Sequence, residues 1–248
     1  MPDEKKNPEN EKRMSFTQHL GEFRWRLIIS TIAIAVGFAV SYAFADSIVI
    51  FLQKPFPNDL IFLAPTEAFF VNLKIALFSA IFLAMPVILL ELWEFVAPGL
   101  YEHEKRYSLP FVVFSTLLFL TGGVFAYALV LPVAIKFLMH FASDLIQPMI
   151  SIGNYFTFAI KLILAFGLVF QFPLILIFFT KIGILNAVTL TRNRKYAILG
   201  TFALAAILTP PDIFSQLLMA APILVLYELS ILAIKIFDKK SRKEEGGK

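Results

Sequence analysis

Residues 95–106 read FVAPGLYEHEKR. Inside an otherwise apolar region, Pro98 and Gly99 lead into Glu102, His103, Glu104, Lys105 and Arg106. With Glu94 just upstream, the segment sets three carboxylates against two basic residues, a net charge of −1. Another carboxylate, Glu22, lies in HLGEFRWRL, residues 19–27. Converging carboxylates suit a cationic ligand. A guanidinium suits them best, because a carboxylate can accept both arms of its planar fork. The competing reading is internal. Glu22 and Arg26 stand at i,i+4 spacing, as do Glu102 and Arg106, and each pair can close within one helix. The residues taken alone favour internal pairing.

Other groups capable of chemistry are sparse. Gln171, in AFGLVFQFP, and Glu228 lie inside long apolar runs. A charged group in hydrocarbon costs about 2.5–3.5 kcal/mol on insertion, so polar groups there are expected to face protein or water. Asn72, Lys74, Lys136 and Lys161 sit where they can snorkel toward an interface. His19, His103 and His140 are far apart, cysteine is absent, and no HExxH, GxSxG or phosphate-loop motif occurs. Nothing in the sequence argues for a metal site, a cofactor or an enzyme.

The elements that must carry these residues follow from composition. The chain has 248 residues, of which 58% are hydrophobic and 16% charged, with 28 Phe. A soluble domain has about a quarter of its residues charged, so the apolar excess calls for lipid as solvent. The net charge of +4 is too small and scattered for a nucleic-acid surface. Crossing ~30 Å of hydrocarbon takes about 20 apolar residues. Six runs are candidates, at about 27–45, 68–93, 109–138, 153–180, 196–208 and 213–234, the fifth of them short. The predicted class is an all-α integral membrane protein with six transmembrane helices.

Eighteen basic residues fall in the N-terminal segment, in alternate loops and in the C-terminal tail, whereas the opposite loops hold only Lys54. The positive-inside rule then puts both termini in the cytoplasm. Residues 1–13 read as a disordered cytoplasmic tail, 14–237 as the membrane domain, and 238–248 as a charged cytoplasmic tail. Phe16, Leu20, Phe23 and Leu27 share one face of an interfacial helix that runs into the first span. The fifth run, AILGTFALAAIL, is short, and TPPD follows it, so the fifth and sixth spans read as a short hairpin. Pro86, Pro132, Pro173 and Pro222 lie inside runs and predict kinks, hence a curved bundle.

Four stretches, HLGEFRWRL (19–27), FVAPGLYEHEKR (95–106), AFG…FQFP (165–173) and LTPPDIFSQ (208–216), resemble the TatC family. TatC is the polytopic subunit of the twin-arginine protein translocase, and the resemblance covers about residues 14–237. It implies a concave six-helix bundle in the cell inner membrane, with both termini cytoplasmic and short fifth and sixth helices. It implies a receptor for the Arg-Arg motif of signal peptides on folded precursor proteins. It also implies assembly with the single-span subunits TatA and TatB, self-association in a larger complex, and export driven by the proton-motive force.

Carried onto this chain, the resemblance makes Glu104 the main carboxylate for the paired arginines, flanked by Glu22 and Arg24. Phe95, Pro98, Leu100 and Tyr101 would shape the loop. Gln171 would be the polar residue of the concave face; many family members have glutamate there, so hydrogen bonding is kept and the charge is lost. Pro210, Asp212, Phe214 and Gln216 would sit on the periplasmic side of the hairpin and serve assembly. A small-solute transporter is the main alternative. It would show a polar mid-membrane lining and often inverted repeats, and no repeat is visible.

Overall fold

The computed structural model describes residues 16–56, 60–96, 108–140, 149–208 and 213–245. Apolar runs of this length satisfy their backbone N–H and C=O groups away from water by forming helices. The elements, in order, are α1 (Phe16–Ala43), α2 (Ala45–Gln53), α3 (Glu67–Val96) and α4 (Ser108–Phe125). A π-helical turn (Ala126–Val130) joins α4 to α5 (Leu131–Met139). Then come α6 (Ile152–Val169), α7 (Phe172–Lys181), α8 (Ala187–Arg192), α9 (Arg194–Leu208) and α10 (Ile213–Glu245). Among the described residues there is no strand, only a parallel bridge between Ile61 and Ser151.

Five stretches are long and apolar enough to cross a bilayer: Leu20–Ala43, Glu67–Phe95, Leu109–Met139, Ile152–Lys181 and Ile213–Ile236. They match five of the six predicted runs. The remaining run is α9, whose 15 residues make about 22 Å of helix. The interfacial segment and the first span form one uninterrupted helix, and α10 continues past residue 237 to Glu245.

The prolines act in two ways. Pro132 and Pro173 stand at the starts of α5 and α7, each just after an irregular turn. A proline cannot donate to the carbonyl four residues back and its ring crowds it. The ladder therefore shifts to π spacing before Pro132, and to a three-residue bond, Gln171 N–H to Leu168 O (3.0 Å), before Pro173. Pro86 and Pro222 lie within α3 and α10, which continue through them.

The core centres on α6, where Phe156, Ala159 and Phe166 have no exposed surface. Glycines permit the close approach of α4 to it. A Cβ on Gly122 would stand 2.5 Å from the Phe166 carbonyl oxygen, and one on Gly167 would stand 2.7 Å from the Phe119 ring. By contrast α1 packs chiefly along α3, and only 11% of its apolar stretch is buried, against 50% for Ile152–Lys181. Its outer face is left to lipid.

Candidate functional site

The site begins with the antiparallel packing of α1 on α3. Gly37 lies against Ala80, and eleven residues earlier on α1 Arg26 reaches Glu91 and Glu94 on the last turns of α3. The start of α1 and the end of α3 therefore share one end of the bundle. Glu22 and Arg26 are one helical turn apart, as are Glu91 and Glu94, so each pair presents a single face to the other.

Arg26 is the hub. Its Nε donates to Glu22 Oε1 at 3.1 Å, and its Nη1 donates to Glu91 Oε2 at 3.1 Å and to Glu94 Oε2 at 2.6 Å. The Arg26 and Glu91 side chains are 16% and 10% exposed, whereas Glu94 is 51% exposed and opens the cluster to the surface. Three carboxylates thus surround one guanidinium, leaving a local surplus of negative charge. Glu22 Oε2 is buried and has no hydrogen-bond partner. Arg24 cannot compensate it: two residues on is about 200° around the helix, and Arg24 is exposed. Phe23 and Phe95 close the apolar side, with ring centroids 5.3 Å apart.

Among the predicted site residues, the structure therefore brings Glu22 and Phe95 to one end of the bundle, with Arg24 on the opposite face of α1. Pro98, Leu100, Tyr101 and Glu104, together with the Glu102–Arg106 pair, lie outside the described residues, as do Pro210 and Asp212. The Glu22–Arg26 contact expected at i,i+4 is present, but as one arm of a larger cluster. Sequence reasoning passed over Glu91. The signal was available in ELWEF, where Glu91 and Glu94 at i,i+3 must share a face of α3.

Gln171 sits where α6 breaks into α7. It is 8% exposed, and its Nε2 donates to the Ser115 carbonyl oxygen of α4 at 2.8 Å. Glu228, also flagged for its position in an apolar run, accepts from Arg194 at 2.7 Å, both side chains being 47% exposed. In the hairpin, Gln216 Nε2 donates to the Phe202 carbonyl oxygen at 3.0 Å and ties α10 to α9. Phe214 stacks on Phe137 of α5, with centroids 3.9 Å apart. Lys74, read as a snorkelling residue, donates to Thr157 Oγ1 at 3.1 Å.

Residues 18–222 match the family model described as Sec-independent protein translocase protein (TatC). A protein of the same description from Desulforapulum autotrophicum is 44% identical over 241 residues, covering 95% of this chain and 89% of the relative. One from Aquifex aeolicus is 41% identical over 237 residues, covering 93% and 98%. A solved structure described as the twin arginine translocase receptor TatC in DDM superposes with a TM-score of 0.81 at 42% identity. It covers 87% of this chain and 99% of its own.

Proposed function

Since the chain belongs to the TatC family, we propose that it is the receptor and core subunit of a twin-arginine translocase. The family is a membrane component of Sec-independent protein translocation and not an enzyme family. The apolar helices make this chain a multi-pass membrane protein. The chain binds the Arg-Arg motif of signal peptides on folded precursors at the cytoplasmic face of the inner membrane. It assembles with TatA, TatB and further copies of itself, and export draws on the proton-motive force. Both termini are cytoplasmic, and α9 makes the sixth, short crossing.

The observation that carries this reading is the Arg26 cluster. Three carboxylates already hold one guanidinium there, and α3 ends at Val96, directly before the segment containing Glu104. A second guanidinium arriving beside Glu22, Glu94 and Glu104 meets surplus negative charge instead of a neutral pair. Each charge-assisted contact contributes about 1.5–3 kcal/mol, enough for two arginines to be selected over lysines that lack the planar fork. Arg24 flanks the site from the other face of α1, and Phe95, Pro98, Leu100 and Tyr101 shape the loop. Gln171 is the concave-face polar residue, and Pro210, Asp212, Phe214 and Gln216 serve assembly.

Photocrosslinking tests it, with the full chain in membranes and a benzophenone placed on the signal peptide beside its Arg-Arg or Lys-Lys pair. Crosslinks are expected with Arg-Arg, fading with Lys-Lys and weakening in Glu22→Gln. Equal crosslinking of the two peptides, or none, would mean that the carboxylates pair only internally.

A further inference from the structure

From the middle of the bundle toward the end away from Arg26, a cavity of about 500 Å³ opens between α1, α2, α3 and α4. Its walls include Ser41, Phe51, Phe82, Leu83, Val124 and Tyr127. Leu83 and Val124 are more than half exposed, so the mouth faces outward, where the bundle meets lipid. Ser41 is 2% exposed, yet its Oγ has no hydrogen-bond partner. A buried hydroxyl is rarely left so.

The rim is built. The π-helical turn Ala126–Val130 carries Tyr127, and such insertions commonly mark functional positions in a helix. Tyr127 Oη donates to the Phe51 carbonyl oxygen at 2.6 Å, and the two rings stack with centroids 4.6 Å apart. This clamps α2 across the cavity. Lys54 Nζ lies 5.7 Å from the Phe51 ring centroid and is exposed. It is the only basic residue in the sequence between α1 and α3. Asp46, the acid on α2, is at that helix's other end.

We propose that this cavity binds a single phospholipid with an anionic headgroup. One acyl chain fills the space between α1 and α4, the phosphate meets Lys54, and Ser41 donates to an ester oxygen. The volume matches a small-molecule pocket. The mouth opens where the bundle meets lipid, with Leu83 and Val124 exposed beside it, which makes lipid the occupant at hand. Lys54, the cation at the rim among the described residues, favours a headgroup of net negative charge. A zwitterionic lipid carries the same phosphate, but its own choline cation offsets the attraction.

Native mass spectrometry of the full chain, delipidated in mild detergent, tests the site with phosphatidylglycerol and phosphatidylcholine of identical chains. The expected result is one tightly held phosphatidylglycerol, favoured about fivefold over phosphatidylcholine, the effect of one lysine near a headgroup of net negative charge. Lys54→Gln should remove that preference, and Ser79→Phe, which projects into the cavity, should weaken both lipids. Equal affinity for the two lipids in the parent, or full binding in a folded Ser79→Phe, would overturn the proposal. If Ser79→Phe does not fold, a benzophenone at Leu83 in native membranes decides. An adduct of phospholipid mass supports the site, and an adduct to a protein or peptide overturns it.

Discussion

The two ends of α3 handle carboxylates in opposite ways. At the start, Glu67 commits both oxygens to backbone donors, Gly153 N–H at 2.8 Å and Leu63 N–H at 2.7 Å. Beside it, Ile152 N–H donates to the Ile61 carbonyl oxygen at 3.0 Å, and Ser151 caps α6. That joint is complete and pins the connection before α3 to the start of α6. At the other end, Glu91 and Glu94 join Glu22 around one guanidinium, with one carboxylate oxygen buried and unpartnered. One acid matched to its donors holds a fold together. Three acids matched to one base leave an electrostatic demand that a ligand can meet.

The largest expected effect that tests this contrast is Arg26→Gln. Removing the cation leaves Glu22, Glu91 and Glu94 clustered without the guanidinium they share. Breaking a fully buried pair from one side costs about 3–5 kcal/mol. Because this cluster is part-buried, with Glu94 half exposed, the loss is expected at the low end of that range. The unfolding midpoint in detergent should fall sharply at neutral pH. Adding Glu91→Gln and Glu94→Gln to the same chain should restore most of the loss. If the restored variant is no more stable than Arg26→Gln alone, charge is not what the cluster balances.

Next is Glu67→Ala, read locally by hydrogen exchange. Leu63 and Gly153 amides should lose protection together, because one carboxylate serves both, while amides in α1 stay unchanged. Loss confined to one of the two would break the picture of a shared joint. Glu91→Gln sharpens the comparison further. At a site with surplus negative charge the isosteric swap should change stability by less than about 1 kcal/mol, since Glu22 and Glu94 still hold Arg26. At a matched joint the same swap removes a needed acceptor.

Much of this was legible beforehand. Six apolar runs became helices because lipid leaves the backbone no other partner, and the Glu22–Arg26 spacing announced its contact. Three features were not legible, for physical reasons. Pro132 and Pro173 predict disturbance, but whether a helix bends or shifts its hydrogen-bond register depends on neighbours distant in sequence. Here the α4–α6 approach at Gly122 and Gly167 sets those neighbours. Glu91 looked like an ordinary residue near a helix end until α1 was placed antiparallel beside it. Gln171 announced only that it needed a partner. That the partner is the Ser115 carbonyl of α4 follows from tertiary packing alone.

The smallest expected effect is Arg194→Gln, and its smallness completes the comparison. Arg194 opens α9 and pairs one-to-one with Glu228 of α10, both half in solvent. An exposed pair contributes about 0–1 kcal/mol and is weakened by salt. The unfolding midpoint of Arg194→Gln should therefore lie close to the parent's, and the small difference should vanish in high salt. Glu228→Gln should behave alike, since neither partner is left buried when the other is neutralised. The Arg26 variants should retain most of their deficit in the same salt, because burial limits screening there. An Arg194→Gln defect as large and as salt-resistant as that of Arg26→Gln would mean that neither burial nor the ratio of acids to bases separates the two clusters.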